Sequence, residues 1–305
     1  MWGGTERNAS VQAIQASYDA GVTSIDTAPV YGMGLSEEIV GEAIQTIPRD
    51  KIQILTKYGM RWDVTTGDLA MHSKDNDGQE IDIYKFASKE SIVKECEDSL
   101  RRLRTDYIDL YQIHWPDKTT PIDETMEAVS QLIKQGKVRF AGVCNYDTDL
   151  MREASKYISI VSDQVPYSMV RRDIEKDLIP YCLEHQKAIL AYSPLQRGLL
   201  TGKMNPGYQF GKDDNRSSLH YFSDENLRRV AAFFDKIRPL ADDKNATLSQ
   251  LVLRWTIQQP GITIALVGAR DARQALQNAA AMDFELKPDE IEFMNGHLHE
   301  LELVK

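Results

Sequence analysis

No hydrophobic run among the 305 residues approaches the ~20 apolar residues that cross a bilayer as a helix. With no signal-peptide pattern at the start, the expectation is a chain of the reducing cytoplasm without a membrane partner. Cysteine is scarce. Cys96, Cys144 and Cys182 are odd in number and far apart, which excludes a disulfide framework and a clustered metal motif. In that setting the N-x-S/T triplets at Asn8, Asn215 and Asn245 read as chance matches. Positive charge is in deficit, with a formal net charge of -10, so no nucleic-acid partner is expected, although a few local cations still suffice for an anionic cofactor. His72, His114, His185 and His220 lack metal-ligand spacing, so no metal is expected. There is no G-x-S-x-G elbow for a serine hydrolase. Asp26 has no acidic partner on a neighbouring strand end, as a glycosidase would need. The 18 Gly and 11 Pro are spread without a linker-like run.

What is present is an alternation. Apolar spacings of three and four predict helices near 9–20, 37–45, 91–103, 125–135, 150–155, 174–184, 225–243, 246–258, 272–281 and 289–298. Short β-branched or apolar runs between them predict strands at 22–27, 51–58, 107–114, 138–145, 159–165, 188–193 and 261–268. Strands joined by helices imply parallel strands in one α/β domain over 1–305, either a (β/α) barrel or a doubly wound sheet. Two features favour the barrel. No Gly-rich nucleotide loop follows the first strand, and polar residues end successive strands: Asp26, Lys57, His114, Asn145, Gln164 and Ser193. A barrel gathers those ends on one rim. Seven strands are found where a closed (β/α)8 barrel has eight, and the shortfall lies at the front, where WGGTE leads straight into a helix.

Asp26, Tyr31, Lys57 and His114 fall on consecutive strand ends of that rim. A lysine near a phenol is expected to lower the phenol's pKa, a carboxylate to hold the lysine charged, and an imidazole to bond a substrate oxygen. Together they suit proton transfer at a carbonyl/alcohol pair. Each residue alone also has a structural reading: a cap for Asp26, packing for Tyr31, a surface amine for Lys57, a satisfied ring for His114. After the last strand, Gly268 and Arg270 precede a helix bearing Gln274 and Asn278, which suits a phosphate. Two long connections, 59–88 with Trp62, Met71 and His72, and 195–223 with Arg197 and Lys203, are expected to shape the pocket together with Trp115.

The segments SIDTAPVYGMGLSEEIVGEAI (24–44), ILTKYG (54–59), SLRRLRTDYIDLYQIHWPD (99–117), GKVRFAGVCNY (136–146), AYSPLQRGLLTGK (191–203) and IALVGAR (264–270) together resemble the aldo-keto reductases across almost the whole chain. The similarity is greatest to the bacterial branch of general stress and inositol-linked enzymes. The resemblance implies a (β/α)8 TIM barrel and NADPH-dependent reduction of aldehydes or ketones without a metal. Tyr31 matches the proton donor, Lys57 its supporting lysine, Asp26 the lysine's partner, and His114 the carbonyl-orienting histidine. Asn145 and Gln164 match the carboxamide-binding residues and Tyr192 the ring that stacks under nicotinamide. Ser193, Leu195, Arg197 and Lys203 match the pyrophosphate loop. Gly268, Arg270, Gln274 and Asn278 match the adenosine and 2′-phosphate site, with Arg270 favouring NADP(H).

Two departures accompany the match. Cys144 stands where a serine is more usual. The resemblance also implies an N-terminal hairpin and first barrel strand ahead of Trp2-Gly3-Gly4-Thr5, so the chain as given is expected to be N-terminally truncated, with a start site set too far downstream as the favoured cause. A noncatalytic NADP(H)-binding or interaction protein on the same fold is the alternative. The expected partner is a small carbonyl compound, and the expected assembly a monomer or weak homo-oligomer.

Overall fold

The computed structural model describes residues 6–211 and 214–304. Helices α1 (Arg7–Asp19), α2 (Leu35–Ala43), α3 (Lys89–Leu103), α4 (Ile122–Lys134) and α5 (Thr148–Ala154) alternate with strands in the first half. Helices α6 (Leu178–Glu184), α7 (Asp224–Asp243), α8 (Leu248–Ile257), α9 (Ala272–Ala279) and α10 (Pro288–His299) complete the chain. Seven parallel strands form one sheet: β1 (Ser24–Asp26), β2 (Gln53–Tyr58), β6 (Ile108–Ile113), β7 (Val138–Cys144), β8 (Ile160–Pro166), β9 (Ala188–Tyr192) and β10 (Ile262–Leu266). Their spatial order is β1-β2-β6-β7-β8-β9-β10, so each strand pairs with the next one along the chain in this set. The sheet curls into a nearly closed barrel with the helices around it. Among the described residues β1 and β10 do not pair, but α1 packs against α9, so the helical ring meets across that side. The expectation that WGGTE is a loop leading into the first helix falls on residues 1–5, outside the described residues.

Every residue of β6 is buried, as a parallel strand covered on both faces requires. Leu55, Leu110 and Leu190 pack within the barrel, while Ile54, Tyr111, Val143 and Ile189 belong to the larger core shared with the helices. Parallel registers Leu55↔Leu110 and Lys57↔Gln112 carry the inward face from apolar to polar towards the C-terminal rim. The helices begin where local chemistry satisfies their first N–H groups. Ser88 accepts from Ser91 N at α3, Asp271 from Gln274 N at α9, and Thr247 forms a reciprocal capping box with Gln250 at α8. The 174–184 helix is shorter than its apolar spacing predicts: a 3-10 turn, Asp173–Glu175, comes first and the α-helix starts at Leu178.

One connection differs more. The stretch 59–88, read from sequence as a long loop, holds a three-stranded antiparallel sheet: β3 (Met60–Arg61), β4 (Asp68–Lys74) and β5 (Glu80–Lys85), in the order β3-β5-β4. The tight turn between β4 and β5 is built on Asp75, whose Oδ1 accepts from Asp77 N and Gln79 N, with Gly78 at φ 83°. One face of this sheet packs Met60 and Ile83 onto Ala28 and Val30, with Met33 and Trp62 alongside. It therefore lies against the loop that carries Tyr31.

Candidate active site

Asp26 is the last residue of β1, and Lys57 and His114 sit at or just past the ends of β2 and β6. Lys57 is fully buried. Its Nζ donates to Asp26 Oδ2 at 2.7 Å and to the carbonyl of Thr27 at 2.8 Å. Gln164, on β8 across the barrel, donates from Nε2 to Asp26 Oδ1 at 2.8 Å. Both carboxylate oxygens of Asp26 are thus engaged, and its orientation is set from two sides. Burial alone would push the Lys57 amine down, but Asp26, helped by Tyr31 and Cys144, outweighs it and holds the amine above its ordinary 10.5.

Tyr31 lies over this pair. The Lys57 ammonium is 5.2 Å from the centre of the Tyr31 ring, and the His114 ring meets that ring edge-on at 5.7 Å between centroids. The phenol's behaviour departs from the sequence expectation. Lys57 does pull its pKa down, but burial is the larger effect and leaves it above 10. Burial, reinforced by Lys57, pushes His114 well below 6.5. At neutral pH the four groups are therefore one ammonium, one carboxylate, a protonated phenol and a neutral imidazole. Such a set can offer two neutral donors to an oxygen atom beside a fixed cation.

Behind His114, Asn145 donates from Nδ2 to the His114 carbonyl at 3.1 Å and accepts from the Tyr192 hydroxyl at 2.9 Å. Asn145 and Ser193 both adopt left-handed backbone conformations, φ 59° and 56°, just past their strands. Leu195 directly precedes a segment of 3-10 turns, Gln196–Thr201, which holds the exposed Arg197 and in which Arg197 and Gly198 have φ 55° and 94°. Lys203 is exposed just beyond it. Past β10, Gly268 is open on the side where a Cβ would project, Asn278 Nδ2 donates to its carbonyl at 3.1 Å, and Gln274 Oε1 accepts from Arg270 N at 3.2 Å. Arg270 is exposed and, among the described residues, has no carboxylate within ion-pair distance. The open glycine and the exposed guanidinium suit a phosphate-bearing dinucleotide, whereas the α9 start is already capped by Asp271.

Some residues of this neighbourhood carry no marked signal in the sequence. Glu95 on α3 is buried and accepts from Gly59 N at 3.0 Å and Ser91 Oγ at 3.0 Å, tying the end of β2 to the helix behind it. Asn76, at the tip of the β4–β5 turn, donates to the carbonyl of Gly32 at 2.8 Å, one residue from Tyr31. The Asn76-Asp77-Gly78 turn signal between two alternating segments was available to find the hairpin, but nothing local indicates its docking site.

The model of the aldo/keto reductase family matches residues 1–299, and the chain belongs to that family. It is 39% identical to aldo-keto reductase YhdN of Bacillus subtilis (strain 168) over 276 residues, 90% of this chain and 78% of that one. It is 35% identical to the NADH-specific methylglyoxal reductase of Escherichia coli (strain K12) over 305 residues, 99% of this chain and 91% of that one. Among solved structures, the glycerol dehydrogenase AKR11B4 from Gluconobacter oxydans superposes with a TM-score of 0.89 at 36% identity, covering 100% of this chain and 89% of that one. An aldo-keto reductase from Klebsiella pneumoniae in complex with NADPH superposes with a TM-score of 0.71 at 32% identity, covering 95% and 84%.

Proposed function

We infer that the chain reduces aldehydes or ketones to alcohols with NAD(P)H, that NADPH is the preferred cofactor, and that residues 1–305 act as one catalytic barrel domain. The observation that carries this reading is the fully buried Lys57 ammonium, 2.7 Å from Asp26, with Tyr31 and His114 placed over it on the same rim. The relative solved with NADPH supports a nicotinamide cofactor, and the NADH-specific relative shows that the family admits either form. The preference for NADPH rests on Arg270, whose exposed guanidinium, without a carboxylate partner among the described residues, is suited to a 2′-phosphate. Three buried free cysteines suit a reducing compartment.

When bound, the reduced nicotinamide supplies the two electrons and the hydrogen that add to the carbonyl carbon. Tyr31 Oη gives its proton to the carbonyl oxygen; its raised pKa keeps that proton in place at neutral pH. His114, neutral, donates a hydrogen bond to the same oxygen and orients it. Lys57 stays charged because Asp26 keeps it so, and its ammonium stabilises the phenolate left on Tyr31. Gln164 holds Asp26. Asn145, with one amide hydrogen and one lone pair still free after its contacts to His114 and Tyr192, would share with Gln164 and Tyr192 the contact to the carboxamide and ring. Ser193, Leu195, Arg197 and Lys203 would hold the pyrophosphate, and Gly268, Arg270, Gln274 and Asn278 the adenosine end.

Tyr31→Phe tests this assignment. Turnover of a simple aldehyde should fall by about 10²–10⁴-fold, while NADPH affinity, read by fluorescence titration, stays unchanged. Near-normal turnover by the variant would remove Tyr31 from the role of acid.

A further inference from the structure

We propose that Lys85 is a specificity-determining residue of this site and that the favoured substrates are carbonyl compounds carrying a carboxylate. The proposal rests on the reductase reading and deepens it. Lys85 is the last residue of β5, opposite Met60 of β3 and Asp68 of β4. Side chains two apart on a strand share a face, so Lys85 lies on the face of Ile83, which packs with Met60 onto Ala28 and Val30. That face looks towards the Tyr31 loop.

The Lys85 ammonium ends over the Trp115 ring, 5.7 Å from its centroid. Trp115 directly follows His114 and is 38% exposed, so the lysine and the indole form a half-open flank beside the carbonyl-orienting histidine. Lys85 is half-buried, and among the described residues no carboxylate lies within ion-pair distance of its amine. Asp68, in the same cross-strand row, is the natural partner, yet the lysine takes the indole instead. A cation over an indole keeps most of its capacity to bind an anion, because the ring supplies only a weak attraction.

The sheet that presents Lys85 is fixed at both ends. At its far tip Asn76 grips the Gly32 carbonyl, and at its root Phe86 N donates to Gly59 O at 3.1 Å, next to the end of β2. The lysine is therefore carried on a wall that is already docked on the loop bearing the proton donor. An anion bound there needs little ordering of the protein.

The test compares 4-oxobutanoate with butanal, which share carbon count and differ in the carboxylate, using the full chain, NADPH, and Lys85→Met and Lys85→Arg variants. The wild type should favour 4-oxobutanoate. Lys85→Met should raise KM for 4-oxobutanoate about tenfold with kcat and all butanal parameters unchanged. Lys85→Arg should retain most of the preference, and added salt should erode it in the wild type but not in Lys85→Met. If Lys85→Met treats both aldehydes as the wild type does, or impairs both alike, Asp68 or bulk packing accounts for the lysine and the proposal falls while the reductase reading stands. If the folded wild type reduces neither aldehyde nor any other, the reductase reading falls and takes the proposal with it.

Discussion

Asp26→Asn probes the electrostatic centre of the site with almost no change of shape. Lys57 is fully buried, and Asp26 is the one carboxylate within ion-pair distance of it among the described residues. The substitution leaves the Thr27 carbonyl and one amide oxygen as acceptors but removes the counter-charge. Breaking a buried pair on one side costs ~3–5 kcal/mol, because the remaining charge is left uncompensated. At about pH 7 we expect a loss of ~3 kcal/mol, or roughly 5 °C in Tm for a chain of this length. The pH dependence discriminates further. In the wild type Lys57 titrates above 10.5, so its contribution is fully present below that pH and is lost only as pH climbs through the raised folded value. In the variant burial becomes the dominant influence and the folded value drops below 10.5. The folded state then binds fewer protons than the unfolded chain, so stability rises with pH over the window below 10.5. Urea denaturation at about pH 7 and about pH 9.5 should show the variant recovering ~1 kcal/mol or more relative to the wild type. A variant within ~0.5 kcal/mol of the wild type at neutral pH, or one whose stability runs parallel to the wild type across that range, would refute the claim that Asp26 holds the charge on Lys57.

Other expectations follow from separate contacts. Burial pushes the Glu95 carboxyl up to about 7, against the pull of Arg61 and of the Gly59 and Ser91 donors, so the folded state keeps a proton that the unfolded chain releases near 4.5. That contribution is complete below ~4.5 and lost as pH rises through about 7, a change of ~3 kcal/mol; Glu95→Gln should flatten this slope in denaturation curves, and an unaltered slope would place the titration elsewhere. Arg270→Ala should weaken NADPH binding about tenfold or more and leave NADH almost untouched, read by parallel titrations; equal loss for both would mean the guanidinium meets the shared part of the dinucleotide. Gly41→Ala should be strongly destabilising although Gly41 sits in a helix, because a Cβ there would run into the Arg102 carbonyl oxygen and lie 2.8 Å from the Leu103 carbonyl carbon; overpacking against backbone costs ~1–3 kcal/mol or more, and a Tm equal to the wild type's would contradict the close approach of α2 to α3.

The barrel strands were legible because parallel strands covered on both faces tend to be apolar runs; Ala188–Tyr192 is such a run, and Ile108–Ile113 is one interrupted by Asp109 and Gln112. The rim residues were legible because a charged or polar residue ending such a run has nowhere to go but the rim. The 60–85 sheet was not legible, since β4 alternates weakly and leaves most of its residues outside the core. Its Asn76-Asp77-Gly78 turn marks a hairpin but says nothing of where the tip docks. Partners distant in sequence were equally hidden. Gln164 stood out as a strand-end residue, but its bond to Asp26 spans 138 positions and depends on the curvature of the sheet. The net direction of the phenol shift was hidden for a related reason: the amine that pulls the phenol down is visible in the sequence, whereas the desolvation that outweighs it belongs to the folded site.

That outcome changes how the four polar groups work together. A phenol with a lowered pKa would be a ready base but would lose its proton before a carbonyl arrived. Here burial keeps Tyr31 protonated and His114 neutral, while only Lys57 and Asp26 carry charge, and those charges cancel within 2.7 Å. The site thus holds no net charge before reaction, yet keeps a fixed ammonium 5.2 Å from the ring on which, in the proposed reaction, negative charge would develop once the proton leaves. An interaction that strengthens only as the phenolate forms lowers the barrier rather than the ground state. In that proposed reaction Asp26 would contribute from behind: by holding Lys57 charged in a fully buried position, it would keep the cation in place without water having to reorganise around it.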